Sequence, residues 1–528
     1  MVALALHRTY SPLRTLALLA AAVAVLPLAG VVAAAAGGGS ADIAMRELGR
    51  YAASSAILAA LVAIITGVVG TLAAWLVVNH SFPGRGVFAW ALALPLAAPA
   101  FAIAYAYADL LDIAGDLRIW LRASAGFDLP LNIRTLPGAA FVLSCAFYPY
   151  VYLAMRAAFV NQSAQALEAA RVLGAPRART FFRIALPMAR PALAAGMALA
   201  VMETLADYGA VQFLGVQTLT TGVIRAWFVY GSLASAAQLA LPLLGVAALL
   251  LWLERLSRRG RTHDTGRARW RPLEPIGLGR VKGALACAFC LSLVTAGLLL
   301  PVGVLAASAL ETTPEWPRLT QAAGRSLLLA ALGGAATVTA ALFLALGAAR
   351  LPVTARIASL GYATPGAVMA VGLLLPAAWA WTLVPGGASN LVLGLLLLTY
   401  AYVARLMAAA LEPIEAGLAR VSPSMLDAAR SLGRGELGAA FAIQAPMARG
   451  AIATAWLLVF IDVLKELPAT LILRPFNFDT LAVMADNYAQ DERLANASWP
   501  ALLIILAVLP AVLWLNRKMA QARPGTSA

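Results

Sequence analysis

A succession of long apolar runs constrains this chain more than anything else in it. Windows near residues 15–35, 52–78, 87–110, 137–160, 192–215, 235–254, 281–308, 325–349, 356–381, 389–411, 451–474 and 497–516 approach or exceed the ~20 residues that a helix needs to cross the hydrocarbon core. They predict twelve transmembrane helices, and hence an all-α polytopic membrane protein. The runs are continuous, which excludes a closed barrel, whose strands alternate apolar and polar residues over ~10 positions. With 62% apolar and 12% charged residues, against roughly a quarter charged in soluble domains, a single water-soluble core is excluded too.

The basic residues are distributed by side. One set of alternate connections holds Arg8 and Arg14, six arginines between Arg156 and Arg190, nine basic residues from Arg255 to Lys282, Arg350 and Arg356, and finally Arg517, Lys518 and Arg523. That side is expected to be the cytoplasm, with both termini on it. The net charge of +15 therefore reads as membrane orientation, and no nucleic-acid partner is expected. The N-terminal stretch imitates a secretory leader, but its apolar run is long enough for a retained first span. Cys287 and Cys290 have CxxC spacing on an apolar segment without His or acidic neighbours. They read, with Cys145, as buried small residues rather than a metal or redox site. His7, His80 and His263 lack metal-ligand spacing, and no catalytic motif is present.

The chain repeats itself. "EAARVLGAPRARTFFRIALP", residues 168–187, returns 259 residues later as "DAARSLGRGELGAAFAIQAP". Around it "METLADYGAVQF" from Met202 answers "IDVLKELPATLI" from Ile461, and "AVLPLAGVV" answers "LLLPVGVL". We read residues 1–254 as a first repeat with its core at about 51–254, and 255–280 as a basic cytoplasmic linker rich in Gly and Pro. Residues 281–516 form the second repeat, core about 321–516, and 517–528 a cytoplasmic tail. Six spans return the chain to its starting side, so the repeats are parallel rather than inverted.

Each repeated segment reads as helix, glycine elbow, helix. Gly174 and Gly433 suit the left-handed position after a helix, and Pro176 or Pro423 the first turn of one. The Ala169–Ala170 and Ala428–Ala429 pairs leave a smooth face beside one carboxylate, Glu168 or Asp427. Such a face lets another protein approach closely. A lone Arg-rich amphipathic loop could simply lie at the headgroups; two copies with the same internal spacing point to docking.

The pattern Glu-Ala-Ala, three residues, Gly, nine residues, Ile, one residue, Leu, Pro resembles the signature loop of bacterial permeases of ATP-binding cassette importers. Glu168, Ala169, Ala170, Gly174, Ile184, Leu186 and Pro187 match it fully. The second copy keeps Ala428, Ala429, Gly433, Ile443 and Pro446, with Asp427 for Glu and Ala445 for Leu. The whole chain resembles the fused, two-copy permeases of iron(III) uptake; fused thiamine permeases and polyamine or sulfate relatives share that architecture. The resemblance implies the type I importer permease fold, with loops that seat in separate ATPase subunits. It also implies two copies of that ATPase, a periplasmic substrate-binding protein, residence in the bacterial inner membrane, and transport by alternating access.

The chain itself has three lysines, Lys282, Lys465 and Lys518, none in a P-loop. It is therefore expected to be a transport subunit rather than an enzyme, with no cofactor of its own and ATP bound by its partners. A secondary carrier with two parallel six-span halves is the remote alternative, and it would need no docking loop at repeated spacing.

Carboxylates at membrane depth are costly and suggest function. Glu203 and Asp207 stand four residues apart, as do Asp462 and Glu466, with Lys465 beside the latter pair. Their hard oxygens suit a hard cation and would line a pathway or gate. Alternatively they cap the outer helix ends, pair with arginines or Lys465, and contact the binding protein.

Overall fold

The computed structural model describes residues 12–37, 41–113, 115–126, 132–162, 176–258, 275–348, 352–383 and 387–521. Helices dominate. Among the described residues the strand pairing consists of one two-residue parallel ladder, His80–Ser81 with Ile276–Gly277. Among the described residues nine helices are long and apolar enough to cross a bilayer, or up to twelve when each of three bent helix pairs counts as one span. The bends fall where backbone chemistry puts them. Arg85–Ala97 and Ala100–Leu111 meet at 91° across Ala98 and Pro99, and Pro99 is extended (ψ 145°) and has no N–H to continue a helical ladder. Pro365 precedes Gly366–Leu383 in the same way. The third pair, Glu436–Met447 and Arg449–Lys465, bends by 76° at Ala448 (φ −86°, ψ 4°).

The helices form two compact units that cut across the two sequence repeats. One comprises Met1–Ala52, Thr218–Ala248 and Pro314–Tyr488; the other comprises Ala53–Gln217, Leu249–Thr313 and Ala489–Ala528. Each repeat gives its central helices to one unit and its terminal ones to the other.

In the first unit the N-terminal helix Pro12–Ala36 packs on helices of the second repeat, Trp316–Ala348, Pro352–Ala363 and Gly366–Leu383. Their backbones touch. A Cβ on Gly372 would lie 1.9 Å from the Pro27 carbonyl oxygen, and one on Gly30 2.0 Å from the Gly372 oxygen. In lipid, helix association relies on such close packing of small residues, since apolar surface alone gains nothing over lipid tails. Nearby, the Tyr400 hydroxyl donates to the Val23 carbonyl (2.8 Å).

The second unit is built around Leu136–Asn161, which buries Tyr148, Tyr152, Met155 and Phe159. Trp75 meets Phe159 and Phe181 at ring distances of 5.2 and 4.9 Å. Most buried hydroxyls find acceptors: Tyr152 donates to the Ala89 carbonyl (3.0 Å) and Tyr107 to that of Ala296 (2.9 Å). Cys145 and Cys290 are buried and Cys287 half-buried; all three are free thiols.

Candidate docking loops and broken helices

The backbone of the second repeated loop is described throughout. Helix Pro423–Ser431 ends at Gly433, whose φ of +80° is the left-handed conformation that glycine adopts without a Cβ clash. The turn it makes lets Arg434 donate to the Ala429 carbonyl (3.1 Å), satisfying one of the helix's orphan acceptors. A short second helix, Glu436–Ala439, runs into a π-helical turn, Ala440–Gln444. Asp427 and Ala428 face solvent while Ala429 is buried, so the smooth face is half used by the fold and half presented. Leu432, at the elbow, is 82% exposed, and Met425, Phe441 and Met447 are exposed with it. Ile443 is half-buried and Pro446 exposed.

In the first loop Glu168, Ala169, Ala170 and Gly174 lie outside the described residues; Ile184, Leu186 and Pro187 are inside them. There the chain makes a π turn over Phe181–Ala185, which is 259 residues before Ala440–Gln444. Pro187 and Pro446 explain both turns. Neither has an N–H for the carbonyl four residues back, so the ladder loosens just before them. The Gln162 amide then donates to the Ala185 carbonyl (2.7 Å).

Beyond the loops, the two long helices that follow stop at corresponding acids. Leu186–Ala206 ends at Asp207 (ψ 136°) and Arg449–Lys465 at Glu466 (ψ 122°), and a short helix starts immediately after each. The acids cap those short helices. Asp207 Oδ1 accepts from the Ala210 and Val211 amides, both at 3.1 Å, at the start of Gly209–Phe213. Glu466 Oε1 accepts from Ala469 N (3.1 Å), and Oε2 from Thr470 N (3.0 Å) and Thr470 Oγ1 (2.9 Å), at the start of Pro468–Leu473.

Glu466 differs in having a cation. Arg405 Nη1 lies 3.0 Å from its Oε1, with the carboxylate side chain 1% and the guanidinium 14% exposed. The Tyr402 hydroxyl reaches Thr470 Oγ1 at 2.8 Å. Gly366 makes room for this cluster, since a Cβ there would stand 2.2 Å from Glu466 Oε1.

The sequence places Glu203 with Asp207, and Asp462 with Glu466, on one helix face. In the structure the second acid of each pair sits just past the helix end and holds backbone, with the Asp207 amide still donating to the Glu203 carbonyl (2.9 Å). Glu203 stays half-buried on its helix, and Asp462 lies 4.0 Å from Lys465 Nζ with its side chain 32% exposed. Arg405 and Tyr402 were not singled out from sequence, although an arginine inside the apolar window 389–411 was a readable sign of a buried acidic partner. In the second unit a polar cleft of about 530 Å³ opens at the end of Gly209–Phe213. Its wall is set by Arg134, which pairs with Asp112 (2.7 Å), donates to the Phe213 carbonyl (3.2 Å) and lies over the Phe213 ring at 5.0 Å.

Twelve apolar crossings and a pair of matched loop segments define a multi-pass membrane transport subunit. Residues 66–263 match the family described as the binding-protein-dependent transport system inner membrane component. The chain belongs to that family, the permeases of ATP-binding cassette importers. It is 25% identical over 448 residues to the Fe(3+)-transport system permease protein FbpB 2 of Haemophilus influenzae, covering 83% of each chain. It is 30% identical to the molybdenum transport system permease protein ModB of Escherichia coli, over 36% of this chain and 86% of that one. With the sulfate transport system permease protein CysT of Escherichia coli it shares 34% identity, over 30% of this chain and 56% of that one.

Proposed function

We propose that this permease carries iron(III) from a periplasmic binding protein to the cytoplasm, driven by two copies of a separate ATPase that seat on the repeated loops. One observation carries the choice of iron: the similarity to the Fe(3+) permease runs through both repeats, over 83% of each chain, whereas the sulfate and molybdenum permeases match about a third of this chain. An oxyanion substrate is the second reading, favoured by the higher identity of those shorter matches.

In the proposed mechanism ATP binds and is hydrolysed on the partner subunits, and this chain turns their closure into helix movement. Asp427 and Ala428 present the docking face, Gly433 sets the elbow, and exposed Leu432 supplies an apolar contact. The π turns before Pro187 and Pro446 join each loop to a long helix that ends in a capped break. Force on the first loop would therefore reach Asp207 along one helix, and force on the second would reach Glu466 through the 76° bend at Ala448. Glu203, Asp462 and Lys465, which remain on those helices, are the residues we place along the pathway or its gate. Both termini lie in the cytoplasm.

The test is uptake of radioactive iron(III), sulfate and molybdate into vesicles holding the permease with its ATPase. Iron-selective, ATP-dependent uptake is expected. Selective uptake of an oxyanion would establish the second reading, and ATP-independent uptake would remove both. Replacing Gly433 with Val should abolish coupling to ATP, because a β-branched residue strains a left-handed elbow. The signal is loss of ATPase co-purification with membrane insertion unchanged.

A further inference from the structure

The connection after each broken helix is built differently in the two repeats. In the first, Gly215 (φ +71°) turns the chain back, and Thr218 caps the next helix, Leu219–Phe228. In the second, three more residues separate the acid from the corresponding Thr480, which precedes Leu481–Gln490. The added length forms a finger, residues 474–479, with Phe476 near its tip. Phe476 is 94% exposed, more than any other large apolar side chain among the described residues.

The finger is held on several sides. Arg474 pairs with Asp479 across its base. Arg325 Nη1 donates to the Asn477 carbonyl at 2.6 Å, and its guanidinium lies 4.9 Å from the centre of the Phe478 ring. Pro475 rests on helix Gly387–Leu418, where a Cβ on Gly394 would come within 2.8 Å of its Cγ. Leu481 N donates to buried Ser326 Oγ (2.8 Å) just past the finger. Asn477 makes the turn in the left-handed region (φ 60°), which asparagine enters more readily than other residues with a side chain. The backbone that carries the exposed ring is thus fixed before anything binds it, which removes part of the ordering cost of an interface. Beside it a cleft of about 300 Å³ is walled by Arg318, Gln321, Arg325, Asn477 and Asp479, a rim rich in hydrogen-bond donors.

We propose that Phe476 is an anchor by which the second repeat grips the substrate-binding protein. Its ring enters an apolar pocket on that protein, and acceptors around the pocket meet Arg318, Gln321 and Arg325. This rests on the orientation and partner proposed above. Two features favour a protein over lipid. A polar, donor-lined cleft walled by Asn477 and Asp479 lies beside the finger, and its arginines and glutamine offer hydrogen bonds to a protein surface. The finger is also confined to one repeat, while the loops assigned to the ATPases repeat at one spacing. Two identical motors need two like sockets; a single asymmetric protein is better held by unlike ones. Burying a rigid aromatic of this kind is the usual composition of an interface hot spot.

The experiment uses the permease and its ATPase in lipid nanodiscs, titrated with the purified binding protein that supports uptake by this system. Phe476→Ser should raise Kd at least tenfold and Phe476→Trp should hold it near wild type, with ATPase co-purification unchanged in both. Arg325→Gln should weaken binding by a smaller factor, through the finger's support. Since Phe476 faces solvent, its replacement has no folding penalty to confuse the reading. An unchanged Kd for Phe476→Ser overturns the proposal. So does quenching by brominated lipid of a fluorophore on a Phe476→Cys variant, made with the three native cysteines replaced by Ala. If the wild-type complex binds no such protein while ATPase docking persists, the partner reading itself falls and the anchor falls with it.

Discussion

The two broken helices, ending at Asp207 and at Glu466, perform the same backbone task with different electrostatics. Both acids accept amide hydrogens three and four residues ahead, and both let a long helix stop and a short one start inside a largely apolar protein. Asp207 does this with hydrogen bonds to backbone, and among the described residues no cation pairs with it. Glu466, one methylene longer, also reaches Arg405 and Thr470, so that a guanidinium, two hydroxyls and a carboxylate share one buried cluster. The comparison shows how far two copies of one unit can drift while keeping a fold feature: the capped break is preserved, and its charged partner is not.

The sharpest way to break this comparison is Arg405→Met, which leaves the Glu466 carboxylate buried without its cation. Losing one partner of a buried pair costs about 3–5 kcal/mol, so a large fall in the melting temperature of the nanodisc-held permease is expected. The double variant Arg405→Met with Glu466→Gln should recover much of it, since a neutral amide needs no counter-charge; no recovery would mean that Arg405 acts through other contacts.

Next in size is Asp207→Ala, which removes only a cap and should cost about 1 kcal/mol. A loss as large as that of Arg405→Met would show that the first break, too, holds a charge network. Smallest is Tyr402→Phe, which deletes one hydroxyl from the second cluster and should cost about 1 kcal/mol or less. Its effect should shrink further in a Thr470→Val background, as a double-mutant cycle would register.

Much of the architecture was legible in the sequence. Among the described residues the twelve windows reappear as nine unbroken helices and three bent pairs, because lipid leaves a backbone few ways to satisfy its own polar groups. The left-handed elbow at Gly433 and the 259-residue spacing also survive into three dimensions, down to the two π turns that the spacing superimposes. What could not be read is equally specific. Asp207 and Glu466 lie inside expected spans 192–215 and 451–474, yet both helices stop there. Gly209 and Pro468 hinted at the break, but the apolar windows ran across it. Arg405 is 61 positions from Glu466, beyond the reach of any local pattern.

The sequence alone determined that this chain crosses a membrane many times, that it is a duplicated unit, and that each unit carries a loop of one fixed design. These are matters of hydropathy, spacing and turn chemistry, all of which act over a few residues. The tertiary structure alone decided which helices share a core. Gly30 and Gly372 let their helices touch across hundreds of residues because neither carries a side chain, and the compact units cut across the repeats. It decided as well that two of the membrane acids hold backbone amides, and that three extra residues in the second repeat become a braced finger with an exposed ring. Each of these depends on atoms that the fold brings within a few ångströms from distant parts of the chain, and a linear reading has no term for them.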